Sequence, residues 1–305
     1  MKHLEKRKDC HKNPRIALSS TCLGNTDIKS LCEYAEVNNI RSIELSANIP
    51  FISDKELVKT LETYTDRINF YIHNYFPAPK DSFVLNLAHP ATHERSLKHC
   101  LKAVDLCSSL GIAVYSIHAG MAINPSADDL GKSLSRYAPI DLKESRDLLT
   151  TACHEIAGYA LGKGVRILIE NNVINEGNCP ENVNRHYHFA DPAESEKLFT
   201  LFSNPNIGVL LDAGHLKVNA TNLNFKPHNF INLFREKINA IHLSDNDGRY
   251  DQNLPIDEQS WFWQYLPWEQ LEYVSLEIKE CSSHLIKKQI GLIEKQLCGY
   301  KAVTV

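Results

Sequence analysis

The stretch "IGVLLDAGH" (207–215) runs apolar through Val209, Leu210 and Leu211 and then breaks off in Asp212, Ala213, Gly214 and His215. A short continuous apolar run reads as a strand buried on both faces, the pattern of a parallel sheet covered by helices. A carboxylate and an imidazole at the end of such a strand raise the question of what they face. Small residues between them, Ala213 and Gly214, let the backbone turn sharply toward a pocket.

The same layout recurs along the chain. Strand-like runs stand at 15–23, 42–47, 69–75, 113–120, 165–171, 207–215, 238–246 and 273–280. Helical patterns follow them, at 27–39 with Asp27 as N-cap, at 53–64 capped by Ser53 or Asp54, and from about Thr92 to Leu110, stopping at Gly111. Later ones run from about Leu142 to Leu161, over 191–203 with Pro192 in the first turn, near 227–236, and over about 282–297. The segment after 215 reads as a polar insert. Eight strand-like runs, each followed by a helix or helical insert, predict a single closed (β/α)8 barrel rather than an open doubly wound sheet. We divide the chain into a basic N-terminal tail over 1–14 and the barrel over 15–305.

Composition sets limits. The chain has 305 residues, 43% hydrophobic, with a formal net charge of -4. That length carries a large core, and a mildly acidic chain exerts no general pull on nucleic acid. No run of 18 apolar residues predicts a transmembrane helix, and the N-terminus lacks the apolar centre of a secretory signal. Nine cysteines without CxxC spacing fit reduced thiols in the cytoplasm, the compartment we expect. No G-x-G-x-x-G or P-loop follows any strand, so a dinucleotide or nucleoside triphosphate site has no support.

In a barrel of this kind the site is built at the C-terminal strand ends. Those ends offer Glu44, His73, His118, Glu170, Asp212 with His215, His242 followed by Asp245 and Asp247, and Glu277 with Lys279 two residues on. A single histidine after a strand is ordinarily a hydrogen-bonded structural residue. Strand after strand ending this way is different, because the barrel brings these groups to one mouth, where carboxylates repel one another. A divalent cation resolves that repulsion, and a mixed imidazole and carboxylate shell suits zinc, manganese, iron or cobalt. In the loop after the seventh strand, Asp251 is placed to fold back as a further ligand.

Weaker candidates remain outside this set. The segment "WFWQYLPW" (261–268) predicts a barrel-covering helix rather than a substrate lid. His186 and His188 read as part of a solvated loop, and His89, His93 and His99 as surface residues. Arg249 is either an anchor for a carboxylate or phosphate, whose geometry its fork matches, or a solvated loop charge.

The combination "IEN", "LLDAGH", "HLSDNDGRYDQNLPI" and "LEIKE" resembles the xylose isomerase-like barrel superfamily over about residues 15–297. That superfamily holds sugar isomerases, sugar epimerases and endonuclease IV. The isomerase and epimerase pattern implies one divalent ion, of manganese, zinc, cobalt, magnesium or iron, held by Glu170, Asp212, His242 and Glu277. It implies proton transfer through a metal-stabilised enediolate of a sugar or sugar phosphate. Glu170 and Glu277 would carry protons, His215 would polarise the carbonyl, and His73, His118 and Arg249 would bind substrate. The endonuclease pattern adds His73, His118, His215 and Asp251 as ligands of two or three zinc ions. It also has a D-x-H triplet where this chain has Asp251-Gln252-Asn253, and amide is a poor ligand beside imidazole. The loop "NIPFISD" lacks the cations that DNA phosphates require. These points favour a small sugar substrate over abasic DNA. A non-catalytic sugar- or metal-binding barrel is the third alternative. Barrels of this type often pair, so a homo-oligomer is among the expectations.

Overall fold

Eight strands pair in chain order, all parallel, and the last returns to the first. They are β1 (Arg15–Ser19), β2 (Ser42–Leu45), β3 (Asn69–His73), β4 (Val114–His118), β5 (Arg166–Glu170), β6 (Ile207–Asp212), β7 (Ile238–Leu243) and β8 (Tyr273–Leu276). The barrel expected from the sequence is therefore the one observed. The computed structural model describes residues 13–198 and 200–304. Most of the basic tail expected over 1–14 lies outside the described residues.

The strands are buried on both faces, and their alternation decides where the site falls. Tyr71, Val114, Leu168, Leu210, Ala240 and Tyr273 form, with Ala17, an apolar layer distinct from the main core. Their strand neighbours, such as Ile167, Ile169, Val209, Leu211 and Ile241, belong to the larger cluster shared with the helices. The first group fills the barrel and the second faces outward, as a period of two requires. Two residues on from Tyr71, Leu168, Leu210 and Ala240 stand His73, Glu170, Asp212 and His242, so each projects into the mouth one layer above an apolar floor. Tyr71 and Tyr273 seal that floor, their rings stacked at 3.8 Å.

Helices α1 (Ile28–Val37), α2 (Asp54–Glu62), α3 (Pro90–Ser109) and α4 (Leu142–Leu161) shield the first four strands. Asp27 caps α1 as expected, accepting the Ser30 N–H at 2.9 Å. Helix α5 (Pro192–Glu196) is shorter than the helix read over 191–203. The chain instead turns so that Leu198, Leu201 and Phe202 are all buried. Helix α7 (Pro227–Phe234) matches its expected place, and helix α8 (Ser283–Thr304) starts where expected but runs on past Leu297 to Thr304.

The polar insert expected after β6 is a helix, α6 (Ala213–Asn222), which begins immediately after Asp212. Its sequence, "AGHLKVNATN", is buried on nearly every side and so shows no amphipathic stripe. The Trp-rich segment forms two 3-10 turns, Trp263–Tyr265 and Trp268–Gln270, rather than one helix. Trp268 is buried and Trp263 stacks on it. His99 is not a surface residue: it is buried beside Tyr75 and Phe83. Nor is His188 solvated. It is fully buried, with Nε2 2.7 Å from Ser145 Oγ and Nδ1 2.9 Å from Glu194 Oε1. The described cysteines are all free, and no helix among the described residues is long and apolar enough to cross a membrane.

Candidate metal centre

Asp212 closes β6 and also caps α6, with Oδ1 accepting the His215 N–H at 2.7 Å. This fixes the carboxylate, leaving Oδ2 to the mouth. Gly214 has no turn to make. A Cβ there would lie 2.3 Å from Ser244 Oγ and 2.9 Å from Asn246 Nδ2, so glycine is needed for the close approach of α6 to the end of β7. The turn we expected of the small residues is really a packing requirement.

One ligand atom each from Glu170, Asp212, His242 and Glu277 lies within 4.8 Å of the others. His242 Nδ1 is the pivot, 2.7 Å from Glu277 Oε2, 3.4 Å from Glu170 Oε1 and 3.7 Å from Asp212 Oδ2. Donors about 2.1 Å from a shared ion stand up to roughly 4.2 Å apart, so the group has the scale of a coordination shell. His73 and His118 face the other side of Glu170, with Nε2 atoms 3.3 and 3.5 Å from Oε2. His215 holds its ring by Nδ1, 2.9 Å from the Asn171 carbonyl, and turns Nε2 toward Asp251 Oδ2 at 3.6 Å. Asp251 is positioned by its own N–H, which donates to Asn175 Oδ1 at 2.8 Å.

Electrostatics separates these groups into two kinds. Burial pushes the Glu170 carboxyl up to about 7 against the pull of His242. Burial works to raise Asp212 as well, but His215 and His242 outweigh it and hold the carboxyl at about 2. Burial lowers His215, yet Asp212 and Asp251 raise it well above its ordinary value. His242 is raised in the same way by Glu44 and Glu277. Burial, with the neighbouring histidines, keeps His73 and His118 well below theirs, hence neutral and able to act as ligands.

The donor set fits a divalent cation. Glu170 Oε2, both ring nitrogens of His242 and Asp251 Oδ1 are buried without a hydrogen-bond partner. Such groups carry a desolvation cost that a coordinated ion would offset. The mixture of oxygen and imidazole donors is that of zinc, manganese, iron or cobalt sites.

The cluster opens on a cavity of about 630 Å³, reached through His118, His215 and Asp251 in its wall. Arg249 is not in that wall. Its guanidinium is bound by Glu176, 2.7 Å from Oε2 and 2.9 Å from Oε1, and it is exposed. The cationic side chain that does line the cavity is Lys279. Asp245 is taken by Lys217 at 2.6 Å, and Asp247 by the Arg249 and Tyr250 backbone.

Sequence reasoning missed the asparagines that frame the site. Asn171 joins the ends of β5 and β6, accepting the Asp212 N–H at 2.8 Å and donating to the Asp212 carbonyl at 3.1 Å. Asn246 accepts the N–H groups of Gln252 and Asn253, which sets the loop carrying Asp251. The sign was the density of Asn beside strand ends, "IENN" and "SDND", where loop backbone needs side-chain partners.

A closed parallel barrel with carboxylates and imidazoles converging at its C-terminal mouth defines a class, the TIM barrels whose mouth residues could hold a metal ion. Within it the chain belongs to the xylose isomerase-like TIM barrel family, whose model matches residues 32–272. Among solved structures it is similar to a D-tagatose 3-epimerase-like protein, with a TM-score of 0.69 at 19% identity over 95% of this chain and 100% of that one. A 3-keto-D-glucoside 4-epimerase from E. coli gives 0.63 at 12% identity, over 93% of this chain and 98% of the other. A D-psicose 3-epimerase from Clostridium cellulolyticum H10, solved with D-tagatose, gives 0.61 at 14% identity, over 93% and 94%. At such identities the likeness is one of fold. No curated protein sequence matches the chain.

Proposed function

We propose that the chain is a divalent-metal-dependent sugar isomerase or epimerase. The observation that carries this reading is the convergence of Glu170, Asp212, His242 and Glu277 beneath a cavity of small-molecule size. These four residues would hold the ion, which when bound supplies Lewis-acid polarisation of adjacent substrate oxygens. Glu170 and Glu277 are the candidate proton carriers. One carboxylate oxygen takes the proton from the carbon next to the carbonyl. The C–H electron pair passes into that carbonyl to give an enediolate, and the other carboxyl returns a proton to carbon. His215, with Nδ1 donated to the Asn171 carbonyl, presents Nε2–H to the substrate oxygen while it is an imidazolium. His118 lines that cavity and His73 stands behind it beside Glu170, outside the wall; the two would bind substrate hydroxyls.

The reading favours a small neutral or singly anionic sugar. Among the described residues lining the cavity Lys279 is the one Lys or Arg, whereas a duplex carries a charge about every 1.7 Å and demands many cations. A second reading, the endonuclease IV-like phosphodiesterase, draws on His73, His118 and Glu170, whose ligand atoms also converge within 4.8 Å. Asn253 stands where that pattern has a histidine, which removes one imidazole donor of a third site.

The test combines metal content with exchange. The purified chain should bind a divalent ion and, with D-tagatose or D-psicose in deuterium oxide, incorporate deuterium next to the carbonyl. Glu277→Gln should abolish that incorporation with the fold retained. Unchanged exchange in the variant would remove Glu277 from the mechanism, and abasic-duplex cleavage without exchange would establish the nuclease.

A further inference from the structure

Glu44 lies at the end of β2, fully buried, and the proposed reaction does not use it. Its register partner on β3 is Tyr71 of the apolar floor, as that of Glu170 on β6 is Leu210. Both of its oxygens lack a hydrogen-bond partner. Its close ionic contact is His242, whose Nε2 stands 2.6 Å from Oε1, and the Tyr273 hydroxyl also faces it. The stacked rings of Tyr71 and Tyr273 belong to the apolar layer of the barrel beside it. A buried carboxylate in such surroundings is costly unless it is paired.

The two nitrogens of His242 therefore face different things. Nδ1 looks to Glu277, Glu170 and Asp212, and Nε2 looks to Glu44. A ligating imidazole commonly gives its second N–H to a carboxylate, which fixes the ring and raises its basicity. We propose that Glu44 is a positioning residue, receiving Nε2–H of His242 and so holding the ring with Nδ1 presented to the ion-binding group. This rests on the reading of Glu170, Asp212, His242 and Glu277 as ligands. The acid at the end of β2 then has a role without touching substrate or ion.

The probe is zinc bound to the full chain. With 15N-labelled histidine, the zinc-loaded wild type should show His242 protonated at Nε2 and metallated at Nδ1, a signature that mere packing by Glu44 would not fix. Glu44→Gln should bind zinc about 10- to 100-fold more weakly in chelator competition, with an unchanged circular dichroism spectrum. Equal affinity in the variant, or zinc at Nε2 in the wild type, would overturn the proposal. Zinc at Nε2 would make Glu44 and His73 its fellow ligands at an alternative site, since a ligand atom of each lies within 4.8 Å of those of the others. Should the variant fail to fold, the wild-type spectrum alone decides. A wild type that binds no zinc would sink the ligand reading itself, whereas equal binding by both proteins sinks only the role of Glu44.

Discussion

Asp212 serves two elements at once: Oδ1 accepts the His215 N–H at 2.7 Å, while Oδ2 stands 3.7 Å from His242 Nδ1. Two substitutions separate the roles. Asn preserves an N-cap oxygen but supplies a weaker ligand, and Ala removes both. We expect Asp212→Asn and Asp212→Ala both to lose most metal affinity by calorimetry. After chelation, the Ala variant should melt lower than the Asn variant by the worth of a cap, about 1 kcal/mol. Equal melting of the two chelated variants would deny the capping role.

Metal removal gives the second expectation. A ligand that binds only the folded chain stabilises it by about 4 kcal/mol at a thousand times its dissociation constant. Chelation should therefore lower the melting temperature, and added zinc or manganese should restore it. Stoichiometry decides between the two readings: one ion per chain accords with the isomerase or epimerase, two or three with the nuclease. A melting temperature indifferent to chelator would count against any ion at this site.

Gly214→Ala tests the packing of α6 against β7. Alanine is favoured over glycine inside a helix by up to about 1 kcal/mol. Overpacking costs about 1–3 kcal/mol, and the new Cβ would meet Ser244 Oγ at 2.3 Å and Asn246 Nδ2 at 2.9 Å. Two neighbours must move, and one of them holds the loop that carries Asp251. The substitution should lower stability in denaturant titration and weaken metal binding together. A stabilised Ala variant would show that Ser244 and Asn246 yield freely.

Arg249 supplies the fourth. Its fork is filled by Glu176, so an exposed, solvent-screened pair is all that Arg249→Ala removes. We expect the KM for a sugar or sugar phosphate to stay within about twofold of the wild type. Lys279→Ala, in the cavity wall, should raise KM if the substrate carries an anion. A tenfold rise for Arg249→Ala would restore Arg249 as the anchor.

The barrel and its mouth were legible because both follow from a period of two. A residue two places past a buried apolar floor residue must emerge at the rim, and Leu168–Glu170, Leu210–Asp212 and Ala240–His242 show this in the sequence itself. Helix α6 was hidden because its residues are buried on most sides, which erases the polar face that marks a helix. The pairing of Arg249 with Glu176 joins residues far apart in the chain, and no local pattern announces it. The same holds for His188, whose partners Ser145 and Glu194 come from two helices.

His99 allows a pH experiment away from the candidate metal centre. Burial lowers its imidazole from 6.5 to about 4. Nε2 has no partner, and Tyr75 and Phe83 pack on the ring. The unfolded chain therefore takes up a proton near pH 6.5, while the folded chain resists until about pH 4. Stability from the neutral ring is fully present above pH 6.5 and is lost as pH falls toward 4, by at most about 3 kcal/mol at one pH unit per 1.36 kcal/mol. His99→Phe keeps an aromatic ring and removes the titration. The wild type should lose melting temperature between pH 6.5 and 4 more steeply than the variant, with chelator present to silence the metal centre. Parallel curves over that window would mean that the folded chain protonates His99 as easily as the unfolded one, and that the ring is reached by water.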